Sequence, residues 1–315
     1  MTDPYQEITC ISRPQHVNEV DEQGYLNANP DVRKAGMKAT DHFTRHGKKE
    51  GRVQLINEQL VEQKRQIKIE KLKFKTQPTK ERLNTDPCYF LNPEIIDEFG
   101  IPELPAISSH PYSDSLVKII RENPDKLFLD VGAGLRPVYY ENVVNADIYK
   151  ALTTDIICLG EDLPFEDNLF DYVVSFSVLE HTRRPWEVAK EMCRVLKKGG
   201  TLIVDYPFLQ PVHGCPHHYF PATPQGNQTL FEEFCDIKSL TINWNQQPIY
   251  TLHWILREWA SGLSEKEAKK FNKLRVKDFL KSEPKDQLNE FYSKNLSVEV
   301  QHIIAAGSTL IGIKK

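Results

Sequence analysis

Apolar residues change their spacing several times along this chain, and each change predicts a different kind of element. From about Val17 to Arg52 they come in short bursts broken at Asn29-Pro30, Gly36 and Gly47. That pattern predicts short helical pieces, with Asp31 and Thr40 as N-caps. From Val53 to about Lys75 the chain is dense in Lys, Glu and Gln. Here Val53, Ile56, Leu60, Ile67 and Phe74 follow a loose heptad interrupted by Gln63 and Glu70, which predicts a solvated connecting helix or a short coiled coil. Prolines at 78, 87, 93, 102, 105 and 111 then mark a linker.

From about Tyr112 the apolar residues gather into strand-length runs: Leu127–Val131, Val143–Asp147, Asp155–Leu159, Tyr172–Ser177 and Thr201–Tyr206. Between the last two, Trp186, Ala189, Met192 and Leu196 recur at helical spacing, and Gly199-Gly200 stops the helix. Two later runs, Cys235–Ile242 and Ala305–Ile313, read as strands around a long helical segment. In that segment Leu252, Ile255, Leu256 and Trp259 share one face of an amphipathic helix. Strands alternating with helices predict an α/β fold with a doubly wound parallel sheet. Only eleven residues separate the first two strands and seven the next two, too few for full crossover helices. The sheet face left bare there is expected to be covered partly by the N-terminal segments.

Composition narrows the class without naming a function. The 315 residues are 40% hydrophobic and carry a net charge of −4, with no basic excess that would mark a nucleic-acid or anionic-membrane partner. No run of 18 or more apolar residues could span a bilayer, and the first ten residues lack a secretory pattern. Six scattered cysteines without a CxxC pair fit reduced thiols, so a cytoplasmic protein is expected.

The first strand runs into a glycine turn, Asp130-Val-Gly132-Ala133-Gly134. Glycines there let the backbone turn tightly beside a nucleotide-like ligand. A dinucleotide fingerprint would place its third glycine at Pro137, and proline removes an amide donor, so a nicotinamide dehydrogenase is disfavoured. Asp147 ends the second strand, where a carboxylate can accept bonds from a ribose diol or merely cap a turn.

Leu163-Pro164-Phe165, Asp167, Phe170-Asp171, Leu179-Glu180-His181, Glu191, Arg194-Val195-Leu196 and Gly199-Gly200 follow in an order that resembles class I S-adenosylmethionine-dependent methyltransferases of the type 11-like subgroup. The resemblance covers residues 127–208 and implies a Rossmann-like sheet of about seven strands with an antiparallel last strand. It implies S-adenosylmethionine as cofactor, its methionine end held by Asp130 and the backbone of Gly132, Ala133 and Gly134. Asp147, with Ile148 beside it, would take the ribose. Glu161, Asp162 and Leu163 would flank the adenine, Asp162 accepting from its amino group, and Ser177 would face the sulfonium. Glu180-His181 invites a catalytic reading, but in the family this segment shapes the pocket wall. The N-terminal stretch resembles a small helical repeat module of bacterial surface-polysaccharide proteins, in which Tyr25, Asn29-Pro30-Asp31 and Glu50-Gly51-Arg52 fit.

The expected organisation is therefore a helical module at 1–53, a charged helix and linker at 54–111, and a methyltransferase domain at 112–315 with a helical cap at about 243–300. The N-terminal module offers a surface for a protein or glycan partner. The loop after the fifth strand, His213-Gly-Cys-Pro-His-His218, holds zinc-type atoms, but its spacing matches no standard zinc frame and no metal is expected. It resembles an acceptor-side stretch in related methyltransferases, so His213 is the expected general base and His218 a second, against a polar wall that moves no proton. The expected reaction is O-methylation of a glycan or small-molecule acceptor. C-methylation of a quinone or lipid, or a silent cofactor-binding scaffold, are the alternatives.

Overall fold

The computed structural model describes residues 11–12, 14, 16–55, 58–79, 87–102, 107–214 and 217–308. Its centre is a six-stranded, wholly parallel sheet. In chain order the strands are β1 (Cys88–Tyr89), β2 (Phe128–Val131), β3 (Val143–Asp147), β4 (Ile156–Ile157), β5 (Phe170–Phe176) and β6 (Leu196–Asp205), and across the sheet they run β1-β4-β3-β2-β5-β6. Every residue of β2 is buried, as a central parallel strand covered on both faces requires.

The five strands expected from the apolar runs all form; among the described residues the sheet has six strands, all parallel, where about seven with an antiparallel last strand were expected. Residues 235–242 form no strand, and Ile237, Leu240 and Ile242 stay exposed, with no strand beyond β6 among the described residues to pair with them. Of the Ala305–Ile313 run, residues 305–308 are irregular and the rest lies outside the described residues. The sixth strand comes instead from the stretch expected to be a linker. Cys88 and Tyr89 pair with Ile156 and Ile157.

Three helices matter for the site. Helix α1 (Glu58–Ile69) lies on the sheet face that the short β2–β3 and β3–β4 connections leave bare, since neither connection contains a helix. The heptad reading fails here: Ile67 is 57% exposed, whereas Val61, Arg65 and Lys68 face inward. Ile56 lies outside the described residues. Lys68 donates to Asp155 Oδ2 at 2.7 Å and to the Val143 carbonyl, and Asp155 also accepts from Tyr139 and, at 2.8 Å, from the Asn145 amide. Burial pushes the Lys68 ammonium down to about 8 even with Asp155 beside it.

Helix α2 (Asp114–Glu122) is capped by Ser113, whose hydroxyl accepts from Leu116 N, and buries Leu116 and Ile120 near Phe128, Val143 and Val174. Helix α3 (Pro185–Val195) has proline at its first position and buries Val188, Ala189, Met192 and Val195 against the other face. Trp186 was expected on that stripe but is half exposed, because the true face follows 185-188-189-192-195. The helix also ends sooner than Gly199-Gly200 predicts. Leu196 already pairs with Phe170, and the glycines sit in a bulge between that pair and Tyr172–Thr201, with Gly199 at φ +77°.

The N-terminal module packs Tyr25, Val32, Ala39 and Phe43 into its own small core. Its caps differ from expectation: Asp21 caps Glu22–Ala28, Asn29 precedes Pro30–Lys34, and Lys38 precedes Ala39–His42. Asp31 instead pairs bidentately with Arg52 at 3.1 and 2.7 Å. His42 is a packing residue, with its Nδ1 3.0 Å from the Tyr25 hydroxyl. Helix α4 (Pro248–Ser261) belongs to a second helical cluster at 248–303, where Leu256 and Trp259 pack on Leu263, Phe271, Tyr292, Leu296 and Val300. Leu252, expected on that face, is 50% exposed.

Candidate functional site

The carboxyl ends of β2, β3, β4 and β5 open into a cleft, the place where parallel α/β sheets bind ligands. Its apolar wall includes Ile101, Ile107, Ile148, Leu159 and Leu163, and its polar groups include Ser108, Asp147, Glu161, Ser177, His181 and His217.

Gly132 and Gly134 both have left-handed backbone, φ +74° and +59°. A side chain at Gly132 would run into Val178, and one at Gly134 would meet the Ser108 carbonyl. Only glycine fits this turn without strain. Asp147 holds the turn in place: its Oδ2 accepts from Gly134 N at 2.8 Å and its Oδ1 from Tyr149 N at 2.9 Å. The carboxylate still lines the cleft with lone pairs to spare. Desolvation pushes its titration up, and the two amide bonds oppose that.

Of the expected cofactor residues, Gly132, Gly134, Asp147, Ile148, Glu161, Leu163 and Ser177 line this one cleft, and Asp130, Ala133 and Asp162 do not. Asp130 is fully buried and accepts from Arg136 Nε at 2.7 Å and from the Tyr112 hydroxyl at 2.5 Å. Arg136 in turn donates to the His110 carbonyl at 2.9 Å. Asp130 is thus the anchor of an internal ion pair behind the turn. Asp162 points outward, its side chain 67% exposed and paired with Lys75 at 2.8 Å. Its neighbour Glu161 turns inward and accepts from Arg184 N at 3.3 Å, with burial raising its carboxyl. Ser177 holds left-handed backbone at φ +56°, a strained state in a non-glycine residue, where β5 ends at the cleft.

Sequence reasoning missed the wall built before the sheet. Phe99, Ile101, Ile107 and Ser108 come from the supposed linker. Nothing in their composition marks them; the Ser108 carbonyl is drawn in by accepting from Leu135 N at 2.9 Å.

At the other end of the cleft the His213–Tyr219 loop folds back on Glu180-His181. The Glu180 carbonyl accepts from Tyr219 N at 2.6 Å and Phe220 N at 3.3 Å. His213, His218 and His181 form one cluster, with ring centroids 4.5 to 5.5 Å apart. His181 lines the cleft and His213 and His218 do not; His213 lies 4.8 Å from the Trp254 ring of α4. His218 Nδ1 accepts from His213 N at 3.2 Å, and desolvation with two imidazole neighbours lowers it to about 4. Glu180 is fully buried, and burial raises its carboxyl to about 8. Cys215 lies outside the described residues.

Residues 129–204 match the family model of a methyltransferase domain. An uncharacterized protein of Methanocaldococcus jannaschii is 47% identical over 49 residues, 16% of this chain and 24% of that protein. An uncharacterized methyltransferase of Mycobacterium tuberculosis is 45% identical over 47 residues, 15% of this chain and 18% of its own length. The chain thus spans no more than about a quarter of either relative. Among solved structures, the YcgJ protein of Bacillus subtilis aligns with 50% of this chain and 86% of its own, at 18% identity and a TM-score of 0.31. Phosphoethanolamine N-methyltransferase 2 of Haemonchus contortus, solved with S-adenosyl-L-methionine, aligns with 57% of this chain and 46% of its own, at 18% identity and a TM-score of 0.32. The similarity to a methyltransferase domain thus falls on residues 129–204, the segment that supplies the glycine turn, Asp147 and Ser177 to the cleft.

Proposed function

We propose that the protein is an S-adenosylmethionine-dependent methyltransferase that methylates a hydroxyl of a small molecule or glycan. The observation that carries the cofactor half is the Asp147 carboxylate at the end of β3, fixed by the Gly134 and Tyr149 amides and still open to the cleft. It suits a ribose diol, since a carboxylate accepts from two hydroxyls at once. Glu161, Leu163 and Ile148 would bracket the adenine, and Ser177 with the glycine turn would hold the methionine end. When bound, the cofactor supplies a methyl group already activated on sulfur. The chain's own task is to align the acceptor in line and exclude water, and proximity and orientation contribute on the order of 7–11 kcal/mol to such steps.

His181, His217 and Tyr219 form the polar acceptor side, which supports a hydroxyl acceptor over a quinone or lipid ring. That His213 and His218 do not line the cleft speaks against the role of general base for them. The helices at 248–303 act in this reading as a cap that holds the loop through Trp254, and the N-terminal module as a docking surface for a partner. Incubation with methyl-labelled cofactor and fractionated glycan and metabolite extracts tests the reading. Label should appear on a hydroxyl-bearing acceptor and fall at least tenfold in Asp147→Ala; label only on carbon, or on nothing, would overturn it.

A further inference from the structure

Glu180 poses a problem that the cofactor cleft does not solve. Its side chain is fully buried, and both carboxylate oxygens lack a hydrogen-bond partner among the described residues. Leaving a buried carboxylate unsatisfied costs several kcal/mol, so a native structure keeps one only where something else pairs with it.

The imidazoles beside it show what is missing. His181 Nδ1 lies 2.7 Å from the His217 carbonyl, and His213 Nδ1 lies 2.8 Å from the Pro211 carbonyl. A carbonyl can only accept, so both Nδ1 atoms carry the proton and both Nε2 atoms keep a bare lone pair. His181 Nε2 faces Glu180 Oε1 at 3.6 Å, too far for a hydrogen bond. This is how metal-bound histidines are set up, with the far nitrogen donating to a backbone carbonyl and the near one turned to the ion. The loop also seats the ring: Gly214, at φ +103°, lies so close that any side chain there would strike His181.

We propose that Glu180, His181 Nε2 and His213 Nε2 bind a divalent transition-metal ion at the acceptor end of the cleft. One ligand atom from each of Glu180, His181 and His213 lies within 4.8 Å of the other two. Ligands around a tetrahedral zinc ion stand about 3.3 Å apart, so small side-chain rotations close the site. Two imidazoles and one carboxylate favour zinc, iron, cobalt or manganese over magnesium, and three protein ligands leave a position open. Of the three ligands His181 lines the cleft, so an acceptor in the cleft would reach the open position on that side. An acceptor hydroxyl bound there loses its proton to solvent as its oxygen bonds to the metal, and the resulting alkoxide or phenolate needs no histidine base. This last step rests on the methyltransferase reading; the ion site itself does not.

The test uses the full chain, stripped with chelator and titrated with Co²⁺, whose visible d–d bands report imidazole and carboxylate ligation. One equivalent should bind. Glu180→Gln, nearly the same shape, and His213→Ala should each weaken binding at least tenfold, while calorimetric affinity for S-adenosylmethionine stays within twofold of the parent. Addition of catechol, a hydroxyl probe, should shift the bands of the parent protein. Absent bands, or equal Co²⁺ affinity in both variants, would overturn the ion site. Bands that catechol leaves unmoved would overturn the acceptor role. Loss of S-adenosylmethionine binding by the parent protein would instead count against the methyltransferase reading.

Discussion

The two ends of the cleft treat their polar groups in opposite ways. At the glycine-turn end the carboxylates have named partners: two backbone amides hold Asp147, and Arg136 and Tyr112 hold Asp130 by its Oδ2, while Asp130 Oδ1 has no partner among the described residues. At the histidine end Glu180 has no hydrogen bond to either oxygen, and His218 Nε2 has no partner among the described residues. The end with more hydrogen bonds is the more rigid, ready for a ligand of fixed shape. An unsatisfied end is built around something it must still receive.

The strongest way to sharpen that contrast is to strip partners from the better-bonded end. Asp155→Ala strips Lys68, Tyr139 and the Asn145 amide of their shared acceptor in the core below the turn. Removing one partner of a buried ion pair costs about 3–5 kcal/mol, and urea unfolding should show that loss. Gly132→Ala comes next. It forces a side chain into Val178 at a left-handed position, and should cost about 1–3 kcal/mol and abolish measurable cofactor binding.

Lys68 supplies a pH signature. Its folded-state value lies near 8, below the ordinary 10.5, because burial disfavours the ammonium. Between those values the unfolded chain binds more protons, so this group makes stability rise with pH from about 8 toward 10.5. Subtracting the Tm profile of Lys68→Met from that of the parent should isolate a positive slope in that window; a flat or negative difference contradicts the buried charge. The smallest effect belongs to Asp162→Ala. That side chain is exposed beside Lys75, so stability should change by less than about 1 kcal/mol and cofactor affinity not at all. A large loss of affinity would return Asp162 to the adenine site.

The same contrast governs what could be read from sequence. Local chemistry was legible: the apolar runs located five strands, and the glycine turn and Asp147 fell at strand ends where period and turn residues put them. What escaped depends on contacts far apart in the chain. Asp130 resembles a ligand residue until Arg136 and Tyr112 claim it. The β1 edge strand and the Ser108 wall come from a proline-marked stretch that only tertiary pairing orders. The spacing within His213–His218 could be read only along the loop itself. Glu180 and His181, more than 30 residues earlier, complete the cluster.

The central claim is that the cleft at the ends of β2 to β5 holds S-adenosylmethionine through Asp147. Calorimetric titration of the cofactor into the parent chain and into Asp147→Ala tests it most directly. One site per chain should appear in the parent, with affinity lower by at least tenfold in the variant, about 1.5–3 kcal/mol for lost hydrogen bonds to a charged group. No heat with the parent, or equal affinity in both proteins, would contradict the account.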